Sequence, residues 1–169
     1  SVLWLNKLQS SERKKFFMNI ITLTLNPAYD LHCHVPSFHL FRENHGTVTS
    51  RDPGGKGINI SRALLSNGIE SLAVMAVGSE NGEDYLRSLR GDGVRVREFF
   101  VPGRIRENLT IHCDGSEETR LSFAGFTVDE NLLIGIETLL RETIGVDTVL
   151  SVTGSLPDGL SKESVKAFL

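Results

Sequence analysis

Lys56 stands among glycines in the stretch Asp52-Pro53-Gly54-Gly55-Lys56-Gly57-Ile58-Asn59-Ile60-Ser61-Arg62-Ala63-Leu64. Backbone freedom, a cation and a helix start coincide there. Pro53 fixes its own φ, and the glycines after it can bring bare backbone against a ligand with no Cβ in the way. Ile60, Ala63 and Leu64 fall at helical spacing with Leu65 beside them, and Asn67-Gly68 supplies a C-terminal stop. A glycine turn feeding a helix N-terminus presents unpaired N–H groups and the positive end of the macrodipole. That chemistry suits an anionic or polyhydroxyl ligand. Two familiar phosphate motifs do not fit. A nucleotide P-loop needs Ser or Thr after its lysine, and Lys56 is followed by Gly57. A dinucleotide fingerprint needs a third glycine or alanine where this chain has Ile60.

Other residues lie where ligands are met in open α/β sheets, beyond the C-terminal ends of strands. Asp30 follows a β-prone run at 20–26, and Ser155 follows another at 148–152. Read alone, Asp30 serves equally well as a solvated or turn-capping carboxylate, and Ser155 as a turn hydroxyl. Lys56, Arg104 and Arg106 are the cations suited to a phosphate, since guanidinium binds it bidentately and ammonium acts as a point charge. His32 and His34 share one face of a strand and raise the question of a metal. His39 and His45 bear no fixed relation to that pair, and no metal site is expected. Cys33 and Cys113 are far apart, with no Cys-x-x-Cys spacing, so neither a zinc knuckle nor a disulfide framework is indicated. A reducing, cytoplasmic setting is the expectation.

Three further stretches sharpen the reading: Thr24-Leu25-Asn26-Pro27-Ala28-Tyr29-Asp30, Arg106-Glu107-Asn108-Leu109 and Thr153-Gly154-Ser155-Leu156-Pro157-Asp158-Gly159. Together with the glycine stretch they resemble the ribokinase-like sugar kinases. The resemblance is strongest to the phosphofructokinase B branch, which includes 1-phosphofructokinase and tagatose-6-phosphate kinase. The four motifs occur in that family's order and spacing, and the similarity runs over residues 18–169. The resemblance implies an α/β fold, a three-layer αβα open sheet with a small β lid within 31–52 and 105–124, truncated on its C-terminal side.

It also assigns the site. Gly54, Gly55, Lys56, Gly57 and Asn59 would hold the sugar, and Asp30 would accept hydrogen bonds from its hydroxyls. Lys56 and Arg106 would take its phosphate, with Asn108 and Ser155 completing the hydrogen bonds. Arg104 lies outside the motif and reads as a solvated charge. The implied reaction is ATP-dependent phosphorylation of a ketohexose phosphate. Fructose 1-phosphate is preferred narrowly over tagatose 6-phosphate and fructose 6-phosphate, and Tyr29, Asp52 and Ile105, which depart from common family choices, leave the sugar open. The family's base is the Asp of a Gly-x-Gly-Asp motif, which does not occur in these residues. No catalytic residue is therefore assigned, and the ATP and Mg2+ sites are expected beyond Leu169. A non-catalytic sugar-phosphate binder is the competing class. Homodimerisation through the lid is also implied.

The elements that must position these residues follow from hydrophobic period and turn chemistry. Strands are expected at 20–26, 31–35, 46–50, 71–77, 95–101, 107–113, 119–123 and 148–152. The pair 31–35 and 46–50 is half-buried, while 71–77 and 148–152 read as buried on both faces. Helices are expected from Ile58, after Asn81 as cap, from Asp129 with the stripe Leu132, Leu133, Ile136, Leu139 and Leu140, and after Ser161 as cap. Gly91-Asp92-Gly93 reads as turn chemistry. Strand, helix and strand in succession imply a helix-covered parallel sheet.

The 169 residues carry 18 basic and 21 acidic side chains, a net charge of −3. Because the basic residues are dispersed, a nucleic-acid partner is not expected. No apolar run approaches the ~20 residues of a membrane span. Residues 1–17 fall outside the resemblance and read as an extension upstream of a start at Met18. A weak amphipathic arm is the alternative. Lys7, Arg13, Lys14 and Lys15 sit at the wrong end for a secretory signal.

Overall fold

The computed structural model describes residues 19–115 and 118–168; the extension 1–17 and Met18 lie outside them. In chain order the elements are β1 (Asn19–Thr24), β2 (Ala28–Val35), β3 (Thr47–Gly54), α1 (Lys56–Ser66), β4 (Leu72–Gly78), α2 (Gly82–Gly91), β5 (Arg95–Val101), β6 (Arg106–Cys113), β7 (Thr119–Leu121), α3 (Asn131–Thr143), β8 (Thr148–Val152) and α4 (Lys162–Phe168). They form two four-stranded sheets. The first has the order β5-β4-β1-β8 and is parallel throughout. The second has the order β3-β2-β6-β7, with β2 and β6 parallel and both outer pairs antiparallel.

The core follows from where apolar residues are continuous. β4 is buried from Ala73 to Val77, as a central parallel strand must be. Ile21 and Leu23 of β1, Ile58 of α1, Tyr85, Leu86 and Leu89 of α2, and Leu132, Leu133, Ile136 and Leu140 of α3 join it in one cluster. Among the described residues no helix is long and apolar enough to cross a membrane.

Several details differ from the sequence expectation: β2 begins at Ala28, so Asp30 lies inside it, β3 is mostly exposed and runs on to Gly54, and β7 ends at Leu121. β8 is the edge of its sheet and is half-exposed, with Val149 open to solvent, so Thr-Val-Leu-Ser-Val is not buried on both faces. Asn81 occupies the cap position of α2 but makes no side-chain cap bond. α3 begins at Asn131, two residues after Asp129, whose carboxylate accepts from the Asn131 backbone and side chain. Ser161 does cap α4, accepting from the Ser164 amide at 2.9 Å.

Candidate functional site

The second sheet sets side chains in rows, because its strands are in register and alternate residues share a face. Moving outward from the main sheet, one row holds Gly54, Ala28 and Arg106, and the next holds Asp52, Asp30 and Asn108. The third holds Ser50, His32, Thr110 and Arg120. Cation, carboxylate and histidine therefore follow one another along a single face.

The root of this face meets the C-terminal edge of the first sheet. Arg106 donates to Ser155 Oγ at 3.0 Å and to the Phe123 carbonyl at 3.3 Å. Asn26, just past β1, donates to Ser155 Oγ at 3.3 Å and to the Leu156 carbonyl at 3.0 Å. Ser155 thus accepts twice and keeps its own proton to donate. Gly154, with φ +103, brings the loop after β8 beside Lys56: a Cβ added to it would lie 3.9 Å from Lys56 Cβ. Lys56 opens α1 and is exposed, with Asn59 exposed one turn on. Gly57 presses α1 against β1, since a Cβ there would stand 2.4 Å from Thr24 Oγ1.

In the next row Asn108 Nδ2 donates to Asp30 Oδ1 at 3.4 Å. Asp30 can sit there because Gly54 has no side chain: a Cβ at 54 would lie 2.1 Å from Asp30 Oδ2. Of the residues assigned from the sequence, Asp30, Gly54, Arg106 and Asn108 lie on these two rows, Gly55 caps α1, Lys56, Gly57 and Asn59 lie in its first turn, and Ser155 lies in the loop after β8.

Among the described residues, five buried side-chain polar atoms have no partner, all on segments near the junction of the two sheets. They are Thr24 Oγ1, Asn26 Oδ1, Arg106 Nε, Asn108 Oδ1 and Thr153 Oγ1. Thr24, Asn26 and Thr153 belong to the C-terminal edge of the parallel sheet, while Arg106 and Asn108 belong to the second sheet. A buried polar group left unpaired costs free energy, so donors and acceptors converging in this way mark a place completed by ligand or solvent.

Several supporting residues escape sequence reading. Tyr85 is fully buried, packs edge-on against Tyr29 with centroids 5.2 Å apart, and donates to the Gly54 carbonyl. Burial pushes its hydroxyl far above the ordinary tyrosine range, so it stays a donor. Arg51 lies over the Tyr29 ring at 3.4 Å and bonds Glu107, while Arg62 bonds Asp92 and the Pro53 carbonyl. Asp92 is thereby a structural acceptor. Arg104 pairs with Glu80 at 3.7 Å.

His32 and His34 do not face a common third ligand. His32 Nδ1 lies 2.9 Å from His112 Nε2, and His34 bonds Asp114. Among the described residues no group of three or more His, Cys, Asp and Glu converges as a metal site would.

A family model described as pfkB family carbohydrate kinase matches residues 26–169. The 1-phosphofructokinase of Escherichia coli K12 is 31% identical over 145 residues, 86% of this chain and 46% of the relative. The ATP-dependent 6-phosphofructokinase isozyme 2 of the same strain is 30% identical over 149 residues, 88% of this chain and 48% of the relative. The crystal structure of Escherichia coli phosphofructokinase-2 in complex with fructose-6-phosphate matches with a TM-score of 0.83 at 29% identity, covering 89% of this chain and 50% of that one. The chain spans about half the length of the curated relatives it matches.

Proposed function

The chain belongs to the pfkB family of carbohydrate kinases, and from that premise we propose that it carries the acceptor site of a phosphofructokinase-type enzyme. The acceptor is a ketohexose phosphate, with fructose 1-phosphate as the first choice and fructose 1,6-bisphosphate as the product. The observation that carries this reading is that Arg106 and Asn108, on the rows bearing Asp30 and Arg106, and Thr24, Asn26 and Thr153, at the adjoining sheet edge, all carry buried polar atoms without a partner among the described residues.

The rows make the site bipolar. Arg106, joined by Ser155 and with Lys56 beside Gly154, offers positive charge and donors next to the parallel sheet. That end suits a phosphate dianion. One row out, Asp30 stands opposite Asp52 across the β2 and β3 pair. Directly opposed like charges are unfavourable in a bare sheet, and sugar hydroxyls donating to both carboxylates would offset that. A phosphate at that end would be repelled, which fixes the sugar's direction.

In phosphoryl transfer these residues bind and orient the acceptor, which is where much of the catalysis lies. ATP is the donor in this reading. None of these residues takes the part of the proton acceptor or of the ATP and Mg2+ ligands in this reading. A cytoplasmic setting goes with the reading, Cys33 and Cys113 both being free thiols. So does a homodimer through the outer face of the second sheet, where Val48 and Leu121 are exposed.

The test is calorimetric titration of the 169-residue chain with fructose 1-phosphate, tagatose 6-phosphate, fructose 6-phosphate and free fructose. The expected result is saturable binding of a phosphorylated ketohexose, with free fructose at least roughly tenfold weaker for want of the charge-assisted contacts. Equal affinity for free and phosphorylated sugars would overturn the phosphate end, and no binding by any would overturn the site.

A further inference from the structure

Asn81 sits between the end of β4 and the start of α2, where a helix-capping asparagine would turn its side chain inward to the first turn. It does not do so. Its carboxamide instead reaches Ile105 and bonds both backbone groups: Nδ2 donates to the Ile105 carbonyl at 3.0 Å, and Oδ1 accepts from the Ile105 amide at 2.8 Å. This two-point clamp fixes both peptide units flanking Ile105, the second of which leads into Arg106. Around it everything is close-packed. A Cβ on Gly78 would lie 2.7 Å from the backbone of residues 103–105, and Ile105 itself is 1% exposed. The Asn81 carbonyl accepts from the Tyr29 hydroxyl at 3.3 Å, tying in the residue beside Asp30.

We propose that Asn81 is a positioning residue for phosphate recognition: its clamp on Ile105 fixes where β6 begins and so aims the Arg106 guanidinium at the ligand. The inference rests on the reading of Arg106 as a phosphate ligand. Arg106 needs such support. Its Nε is buried without a partner, and its contact to the Asn26 carbonyl is long at 3.5 Å. Its Nη1 and Nη2 are held by Phe123 and Ser155, both on loops, so the direction in which β6 starts still sets where the guanidinium lies. With the clamp removed, the 102–105 turn would gain freedom, and a long flexible side chain at its end would lose the orientation a bidentate contact demands.

The test is a double-mutant cycle on fructose 1-phosphate affinity in the 169-residue chain, using Asn81→Ala, Arg106→Ala and the pair, with amide hydrogen exchange of residues 104–108 measured on the ligand-free proteins. Asn81→Ala is expected to weaken binding about tenfold in the parent and by less than about twofold when Arg106 is already alanine, because residues acting through one another are not additive. Exchange at 104–108 should quicken while that of β1 and β4 stays unchanged. Asn81→Asp, which keeps the acceptor to the Ile105 amide but loses the donor, should fall between. Equal losses in both backgrounds, or unchanged exchange at 104–108, would overturn the proposal. If the parent binds no sugar phosphate, the acceptor-site reading fails. The exchange experiment then decides the clamp alone, and unchanged protection there would overturn it too.

Discussion

Gly54 is worth more to the site than its lack of a side chain suggests, because a Cβ there would displace the Asp30 carboxylate from 2.1 Å away and not the backbone. Gly54→Ala is therefore expected to behave like loss of Asp30. Sugar-phosphate binding should weaken about tenfold or more, as when a charged hydrogen-bond partner is lost, while the urea midpoint moves little. Titration beside denaturation checks this, and a large stability loss with intact binding would contradict it. For the cations, Lys56→Met and Arg106→Met should each weaken sugar-phosphate binding by ~1.5–3 kcal/mol, roughly ten- to a hundredfold or more, with little effect on free fructose. On the proposed reading, which gives Asp30 no proton to take, Asp30→Asn should impair sugar-phosphate binding yet leave the shape of the pH–rate profile of the enzyme unchanged. Loss of the profile's limb on that substitution would make Asp30 the base.

At the scale of elements, α2 and β2 meet through Tyr85 and Tyr29, and that contact titrates. In an unfolded chain both hydroxyls ionise near pH ~10. Burial raises both in the folded protein, with Arg51 partly opposing the rise at Tyr29. Above about pH 10 the unfolded chain has released protons that the folded chain retains, so the folded state binds more protons and stability falls as pH rises. Below that, these groups contribute no slope. Urea midpoints should be flat with respect to these tyrosines up to about pH 10 and then decline, and Tyr85→Phe should blunt the decline.

The same elements show what a sequence discloses. β4 and β5 were legible almost to the residue, because runs such as Leu-Ala-Val-Met-Ala-Val have one reading in a parallel sheet. The glycine stretch and Arg106-x-Asn108 were legible as motifs. Asn81 was not, because an asparagine before an acidic helical turn looks like a cap, and its true partner lies 24 positions away. Nor was the parallel pairing of β2 with β6, since period-2 alternation names a face and never a partner strand.

For the whole molecule, the outer edge of β8 carries no strand partner among the described residues, and Ile134, Ile144, Val146 and Val149 are exposed. A shallow cavity of about 360 Å³ lies there between α3, α4 and β8, lined by Leu140, Ile144, Leu150 and Phe168. Unpaired apolar edges recruit other chains. Size-exclusion chromatography of the 169-residue chain should show concentration-dependent association, and Val149→Lys should reduce it. A sharp monomer peak at all concentrations would contradict the prediction.

The parallel contact between β2 and β6 has a kinetic consequence. Asp30 and Asn108 are 78 positions apart, and α1, β4, α2 and β5 all lie between them. Joining them closes a long loop, and β2 and β6 are only half-buried where β4 is buried from Ala73 to Gly78, so this contact is expected to open before the core of the parallel sheet does. On the proposed reading, a bound sugar phosphate holding both strands would slow that opening. In native-state hydrogen exchange the amides of β2 and β6 should exchange through a shared partial unfolding, at lower free energy than those of β1 and β4. Ligand should raise only that first barrier.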